Sequence, residues 1–296
     1  MIGNEQFTGI PFRLSSARPS PAMAGGKRLI AYVVVNVEYW RFDEPMPRAI
    51  LPAPHGRANV PDVPNFGWVE YGLRCGLPRI ADLLRRTAVP ATASMNAGII
   101  SAYPAAAELV LDEGWEIMGH GVVQRSLGIE DERAVIRETS ETIRAFAGTA
   151  PRGWLGPGLQ QTFATAVHLR EEGYDYTCDW VLDDLPVWIE TPAGPLLAVP
   201  YTLELNDSLL HAVERHPSDE LFRRLEYTLE AFEPELAAGP RIVTLALHPH
   251  LMGVPHRVVH LARCLELLAS RGDVVFMTGS EIADWFARES EPADQG

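Results

Sequence analysis

Four stretches of the 296-residue chain place acid–base side chains directly behind runs of apolar residues. Asn36 and Glu38 end the first such run, His120 follows Trp115-Glu116-Ile117-Met118-Gly119, a glycine-rich turn spans 152–158, and His248 and His250 follow 242–247. A carboxylate at the end of a strongly apolar strand is costly to bury unless it is paired or opens onto a cavity. His120 lies between two glycines, which leave backbone room for a ligand to approach. A carboxylate and two imidazoles converging on one rim, with no Ser or Cys in an elbow motif, suit a general base acting on water and a His general acid. Hydrolysis is the reaction class this implies. Trp154, Trp180, Asp184 and Asn206 are read as walls of the same pocket, and His250 shares a face with His248 if the strand continues past Pro249.

These residues need a frame that brings strand ends together. Short β-rich runs at 29–37, 91–96, 116–119, 153–155, 174–179, 196–201, 241–248 and 274–277 alternate with helical segments at 77–86, 104–113, 131–147, 160–172, 218–236, 257–270 and 279–288. This pattern predicts an α/β fold of parallel strands and crossover helices. Eight strands and seven helices over some 260 residues suit a closed or nearly closed β/α barrel, and no Gly-x-Gly-x-x-Gly follows the first strand to suggest a dinucleotide. Barrel enzymes carry their chemistry at the C-terminal strand ends, where the four stretches fall. Residues 1–27 read as an extension, 28–288 as one catalytic barrel and 289–296 as a frayed tail. The Pro-rich segment 41–76 is longer than an ordinary βα loop and is expected to form a lid. It contains His55, and Trp40, Phe42, Phe66 and Trp68 would enclose a small molecule where a polymer would need an open groove.

Composition excludes several classes. Lys+Arg minus Asp+Glu is 25 − 39 = −14 with no basic block, so nucleic acid is a poor partner. No apolar run approaches the roughly 20 residues needed to cross a bilayer. Residues 1–26 contain no apolar core of a secretory signal, which makes the cytoplasm the expected compartment. Three widely spaced cysteines, Cys75, Cys178 and Cys264, fit reduced thiols better than a disulfide frame or a Cys-based zinc site.

The motifs Glu116-Ile-Met-Gly-His120-Gly, Gly153-Trp-Leu-Gly-Pro-Gly158, Asp183-Asp-Leu-Pro186 and Leu247-His-Pro-His-Leu-Met-Gly253 resemble the polysaccharide deacetylase-like, or NodB-homology, family. That family includes carbohydrate deacetylases and cofactor-independent allantoinases. The resemblance implies a distorted (β/α)7 barrel that hydrolyses an amide or ester bond. It implies a base at Glu38, a proton donor at His248, and a metal held by an acid and two histidines four residues apart. At the ligand positions only His120 matches; Tyr39 and Gln124 stand at the other two. The ordinary zinc site is therefore expected to be absent and no cofactor is expected, with a rearranged set such as Glu38, His120 and His250 as the alternative. The pattern is nearer the allantoinase branch, although Gly158 stands where that branch suggests a substrate-gripping Arg. The leading expectation is a hydrolase opening a C–N bond in a small cyclic amide, ureide or imide. Glu38, His120 and His248 would be catalytic, and Tyr39, Gln124, Trp154, Trp180, Asp184, Asn206 and His250 would contact substrate. N- or O-deacetylation of a sugar or small metabolite, and a catalytically silent ligand-binding barrel, are the alternatives. The resemblance also makes a homodimer or homotetramer reasonable.

Overall fold

The computed structural model describes residues 8–52, 59–125 and 131–290. Strand β1, Leu29–Val37, is buried along its whole length, and its β-branched run suits a strand covered on both faces. Leu29, Ala31, Val33, Val35 and Val37 join an outer core beneath the helices, whereas Ile30, Tyr32 and Val34 join an inner core with Met118, Tyr176, Leu197 and Ala246. Side chains alternate across a strand, so the even-numbered series points into the barrel. Asn36 and Glu38 continue that series.

The other strands are β2 (Thr92–Met95), β3 (Glu116–Gly119), β4 (Gly153–Trp154), β5 (Tyr176–Thr177), β6 (Val187–Ile189), β7 (Leu196–Ala198), β8 (Arg241–Leu247) and β9 (Val274–Phe276). Their order is β6-β7-β5-β4-β3-β2-β1-β8, with β9 beside the first residues of β1. Every pairing is parallel except β6 with β7. Irregular chain closes the curl along the outer edge of β8: the Ile242, Thr244 and Ala246 donors meet the carbonyls of Asp184 (3.0 Å), Pro200 (2.8 Å) and Leu205 (3.1 Å). The result is the expected distorted (β/α)7 barrel.

Its helices are α1 (Val63–Tyr71), α2 (Leu77–Thr87), α3 (Ile99–Ala102), α4 (Pro104–Asp112), α5 (Glu132–Ala147), α6 (Thr165–Glu171), α7 (Glu220–Phe232), α8 (Pro249–Met252), α9 (Pro255–Ser270) and α10 (Gly279–Glu289). Three details depart from the sequence reading. The helix expected from 160 starts only at Thr165, because Gly158 and Leu159 take φ of +66° and +58° and turn the chain first. Strand β6 is an unanticipated short arm folded back on β7 through a turn closed by Gly194 N–H on the Thr191 carbonyl, 3.0 Å. Helix α1 arises inside the segment read as aperiodic, and it buries only Asn65 and Val69, so it carries no apolar stripe. His55 and the last six residues lie outside the described residues.

Register aligns the functional ends of the strands. Val37 is level with Met95 and Met95 with Gly119, so the next residues, Glu38, Asn96 and His120, form one inward layer. Val35 is level with Leu247, which puts His248 beside Asn36 one step below.

Candidate active site

Glu38, His120 and His248 meet at the C-terminal mouth of the barrel. Glu38 Oε1 lies 3.5 Å from His248 Nε2 and 3.8 Å from His120 Nε2, while Glu38 Oε2 accepts a 2.7 Å hydrogen bond from Trp40 Nε1. Burial alone would raise the carboxyl pKa, but His120 and His248 outweigh it and hold Glu38 well below the ordinary range. Glu38 is a carboxylate at neutral pH. Beneath it, Asn36 Nδ2 donates to the Tyr201 hydroxyl (2.9 Å) and to the Leu247 carbonyl (3.1 Å), tying β1 to β8 where the base stands.

His248 is held by Asp207, a fully buried carboxylate. Asp207 Oδ1 is 2.6 Å from His248 Nδ1 and Asp207 Oδ2 accepts the His248 backbone N–H at 2.7 Å. Burial works to lower the imidazole pKa, yet Asp207 and then Glu38 push it up to about 10. His248 is therefore an imidazolium with Nε2–H facing Glu38. Asp207 is the residue that the sequence reading passed over in favour of its neighbour Asn206. Asn206 lines the cavity, yet its Oδ1 is engaged by Ser208 N–H (2.9 Å) and shapes the turn that presents Asp207.

His120 Nδ1 donates to the Leu155 carbonyl, which can only accept, and this leaves Nε2 turned toward Glu38 and the cavity. That Nε2 is buried without a hydrogen-bond partner, as is Gln124 Oε1. Both residues line a cavity of ≈ 520 Å³ together with Glu38, Tyr39, His248 and His250. Orphaned buried polar atoms are uncommon in folded proteins and mark where a ligand or water belongs.

His250 arrives by a route the strand reading did not contain. Pro249 ends β8 and begins α8, with His248 at its N-cap. His250 then packs edge-on to Trp68 (4.5 Å between ring centroids), to Trp40 (5.8 Å) and to His248 (5.7 Å). Burial, and then the charge of His248, push its pKa down to about 3, so it is a neutral wall. Backbone contact holds this wall in place: a Cβ on Gly72 would stand 2.4 Å from the His250 nitrogen, and one on Gly76 would stand 2.0 Å from the Pro249 oxygen. The Gly72–Gly76 turn linking α1 to α2 therefore seats α8, and Trp68 with it, through two glycines one turn apart.

The expected lid is only partly a roof. Residues Arg41, Glu44, Pro45, Pro47 and Arg48 line the cavity with Trp40, whereas Phe66 packs on Phe42 at 4.9 Å. Three expected contact residues do not reach the cavity. Gly119 pairs with Trp154, and strand parity turns Trp154 outward, fully buried against Tyr174 at 5.5 Å. Trp180 packs on the same outer cluster. Asp184 lies at the opposite end of the barrel, where its carbonyl meets the start of β8.

Residues 67–177 match the family model described as Polysaccharide deacetylase. Among solved structures, the chain is similar to PuuE allantoinase, with a TM-score of 0.84 and 26% identity over 95% of this chain and 98% of that one. It is also similar to a polysaccharide deacetylase candidate from Pseudomonas aeruginosa PAO1, with a TM-score of 0.80 and 28% identity over 93% and 95% of the two chains. A polysaccharide deacetylase candidate of Schizosaccharomyces pombe is 28% identical over 244 residues, 74% of this chain and 75% of its own. No helix among the described residues is long and apolar enough to cross a membrane.

The metal that the family resemblance implies does not fit the donors of this site. Tyr39 turns its ring edge-on to Tyr103 at 5.9 Å, packed over Gly98. The imidazolium of His248 has no lone pair to offer, and Trp40 engages one oxygen of Glu38. His120 Nε2, Glu38 Oε1 and the amide oxygen of Gln124 remain, but Glu38 Oε1 is already paired with the His248 imidazolium, and His250, the third member of the rearranged set, is walled in by Trp40 and Trp68, where a catalytic divalent site takes three protein ligands. The described residues contain no group of three or more His, Cys, Asp or Glu side chains arranged to hold a metal.

Proposed function

We propose that this protein is a metal-independent hydrolase that opens a C–N bond in a small cyclic amide, ureide or imide. The observation that carries the reading is the juxtaposition of Glu38 with His120 Nε2 and with the Asp207-held His248 on the wall of a small-molecule-sized cavity. Glu38 Oε1 and His120 Nε2, 3.8 Å apart, are within the span of a single water whose hydrogen bonds are each about 2.8 Å long. Such a water donates one hydrogen to Glu38 and is held at His120 Nε2, with a lone pair facing the cavity. It attacks the carbonyl carbon as Glu38 accepts its proton. His248 Nε2–H then protonates the ring nitrogen as the C–N bond breaks, because an amide nitrogen leaves poorly as an anion. The products are a carboxylic acid and an amine or carbamoyl nitrogen. Glu38, now protonated, stands 3.5 Å from the neutral His248 Nε2 and returns the proton, which restores both groups.

The base and acid touch as a buried ion pair, so the water's place is beside the pair, next to His120. A screen of cyclic amides, ureides and imides against N- and O-acetylated sugars, run on chelator-treated protein, tests the proposal. Turnover of a ring substrate that Glu38→Gln abolishes is the expected result. Turnover confined to acetylated sugars, or none by any member of the panel, would overturn it.

A further inference from the structure

Three arginines line the mouth of the cavity, in a chain whose net charge is −14. Two of them have carboxylate partners. Arg41 is held by Asp43 (2.5 Å) and Glu44 (3.3 Å), and Arg125 by Glu44 (3.4 Å). Arg48 has no carboxylate partner among the described residues. Its Nη1 instead donates to the hydroxyl of Ser208 and, at 3.4 Å, to the Ser208 carbonyl. Ser208 directly follows Asp207, so this bond fixes the guanidinium on the cavity wall that carries the acid His248.

The loop bearing Arg48 is itself tied down. Asn65, 1% exposed on α1, accepts the N–H groups of Ile50 (2.9 Å) and Leu51 (3.0 Å) and donates to the Leu51 carbonyl (3.1 Å). An exposed arginine on a free loop has no defined direction; this one is anchored two residues from its Cα and again at its tip. A guanidinium presents five donors in a planar fork that matches a carboxylate. Ser208 engages only Nη1, Nε and Nη2 have no protein acceptor among the described residues, and Arg48 lines the cavity.

We infer that Arg48 binds a carboxylate carried by the substrate, so that the compound opened by Glu38 and His248 is an anionic small amide. This rests on the ring-opening reading for the bond that is cut, but the carboxylate site itself can be measured without turnover. A charge-assisted, forked contact at a partly open site is expected to favour the anionic member of a matched pair roughly tenfold to a hundredfold.

The test compares hydantoin with hydantoin-5-acetate, and 5,6-dihydrouracil with its 6-carboxylate, in wild type, Arg48→Gln and Arg48→Lys. The ratio of kcat/KM for the carboxylate over the neutral compound should be high in wild type, intermediate in Arg48→Lys and near one in Arg48→Gln. The loss should appear mainly in KM. Equal ratios in wild type and Arg48→Gln would overturn the assignment. If neither pair is turned over, the ring-opening reading loses its support, and calorimetric binding of hydantoin-5-acetate still decides the carboxylate site. Binding that weakens at least tenfold in Arg48→Gln supports it; no binding, or binding indifferent to the substitution, refutes it.

Discussion

Replacing Asp207 by Asn separates the acid's charge from its position. The two side chains are nearly isosteric, and an Asn oxygen can still accept one of the two hydrogen bonds that His248 makes through Nδ1 and its backbone N–H. The negative charge that raises the imidazole pKa is lost. With that support gone, burial and the remaining pull of Glu38 oppose each other, and the pKa falls from about 10 toward or below its ordinary 6.5. His248 donates a proton only when protonated, so the alkaline limb of kcat should move from near pH 10 to near pH 6.5. At pH 8.5 the wild-type ring is almost fully protonated and the variant's only about 1%, a loss of roughly 10² that should largely recover at pH 5.5. Stability follows the same sign. A raised histidine pKa contributes stability that is complete below the unfolded value and is lost as pH rises through about 10, so wild-type Tm should decline between about pH 6.5 and 10 and the variant's should decline less. Long-range 1H–15N NMR of the His248 ring measures the pKa without any substrate, and a pH–rate profile measures its consequence. A variant whose alkaline limb stays near pH 10, or whose activity is depressed equally at every pH, would show that Asp207 does not set the charge of His248.

Glu38→Gln keeps an acceptor for Trp40 but removes the base, and single-turnover rates should fall by about 10² to 10⁴ with circular dichroism unchanged. Because burial is outweighed by two imidazoles at Glu38, wild-type activity should hold down to about pH 5 in a pH–rate profile and fail only as the carboxylate protonates below its depressed pKa. Prolonged treatment with a chelator should leave turnover within about twofold, and elemental analysis should find well under one zinc per chain, since the donor set falls short of three ligands. Gly76→Ala puts a Cβ 2.0 Å from the Pro249 oxygen, and forcing those backbones apart should cost about 1–3 kcal/mol in denaturant unfolding and raise KM by displacing His250.

How far the sequence could be read depended on how long each strand was. Nine residues of β1 and seven of β8 form apolar runs long enough to read as strands, and the residues just past them, Glu38 and His248, stand out from those runs alone. Two residues of β4 and two of β5 show no alternation, so Trp154 and Trp180 could be placed near a motif but not on a face of the sheet. Asp207 had no local signature because its partner is 41 residues away, and the contact exists only once the chain before it lies along the edge of β8. The same holds for Gly72 and Gly76, whose role is defined by the backbone of α8 rather than by their own turn.

The inward series explains why the chemistry collects where it does. Below the mouth, the even-numbered positions of β1 are Ile30, Tyr32 and Val34, and those of β8 are Ile242, Thr244 and Ala246, an interior of packed side chains whose two hydroxyls are partnered, Thr244 by the Pro200 carbonyl and Tyr32 by Cys178 Sγ. Above that level both series turn to Asn36, Glu38 and His248, with Asn96 and His120 level with the base on the neighbouring strands. Buried ionised groups are tolerated only when each charge is answered. Asp207 and Glu38 answer His248 from opposite sides, and Trp40 answers Glu38, whereas His120 Nε2 and Gln124 Oε1 are answered by nothing in the protein. A barrel that had lost its function would have no reason to keep a buried carboxylate–imidazolium pair beside two unsatisfied atoms, since apolar replacements of similar volume would be as stable or more so. The arrangement costs stability that only a bound water and a polar substrate can offset, and on that physical ground the catalytic reading is preferred to a silent one.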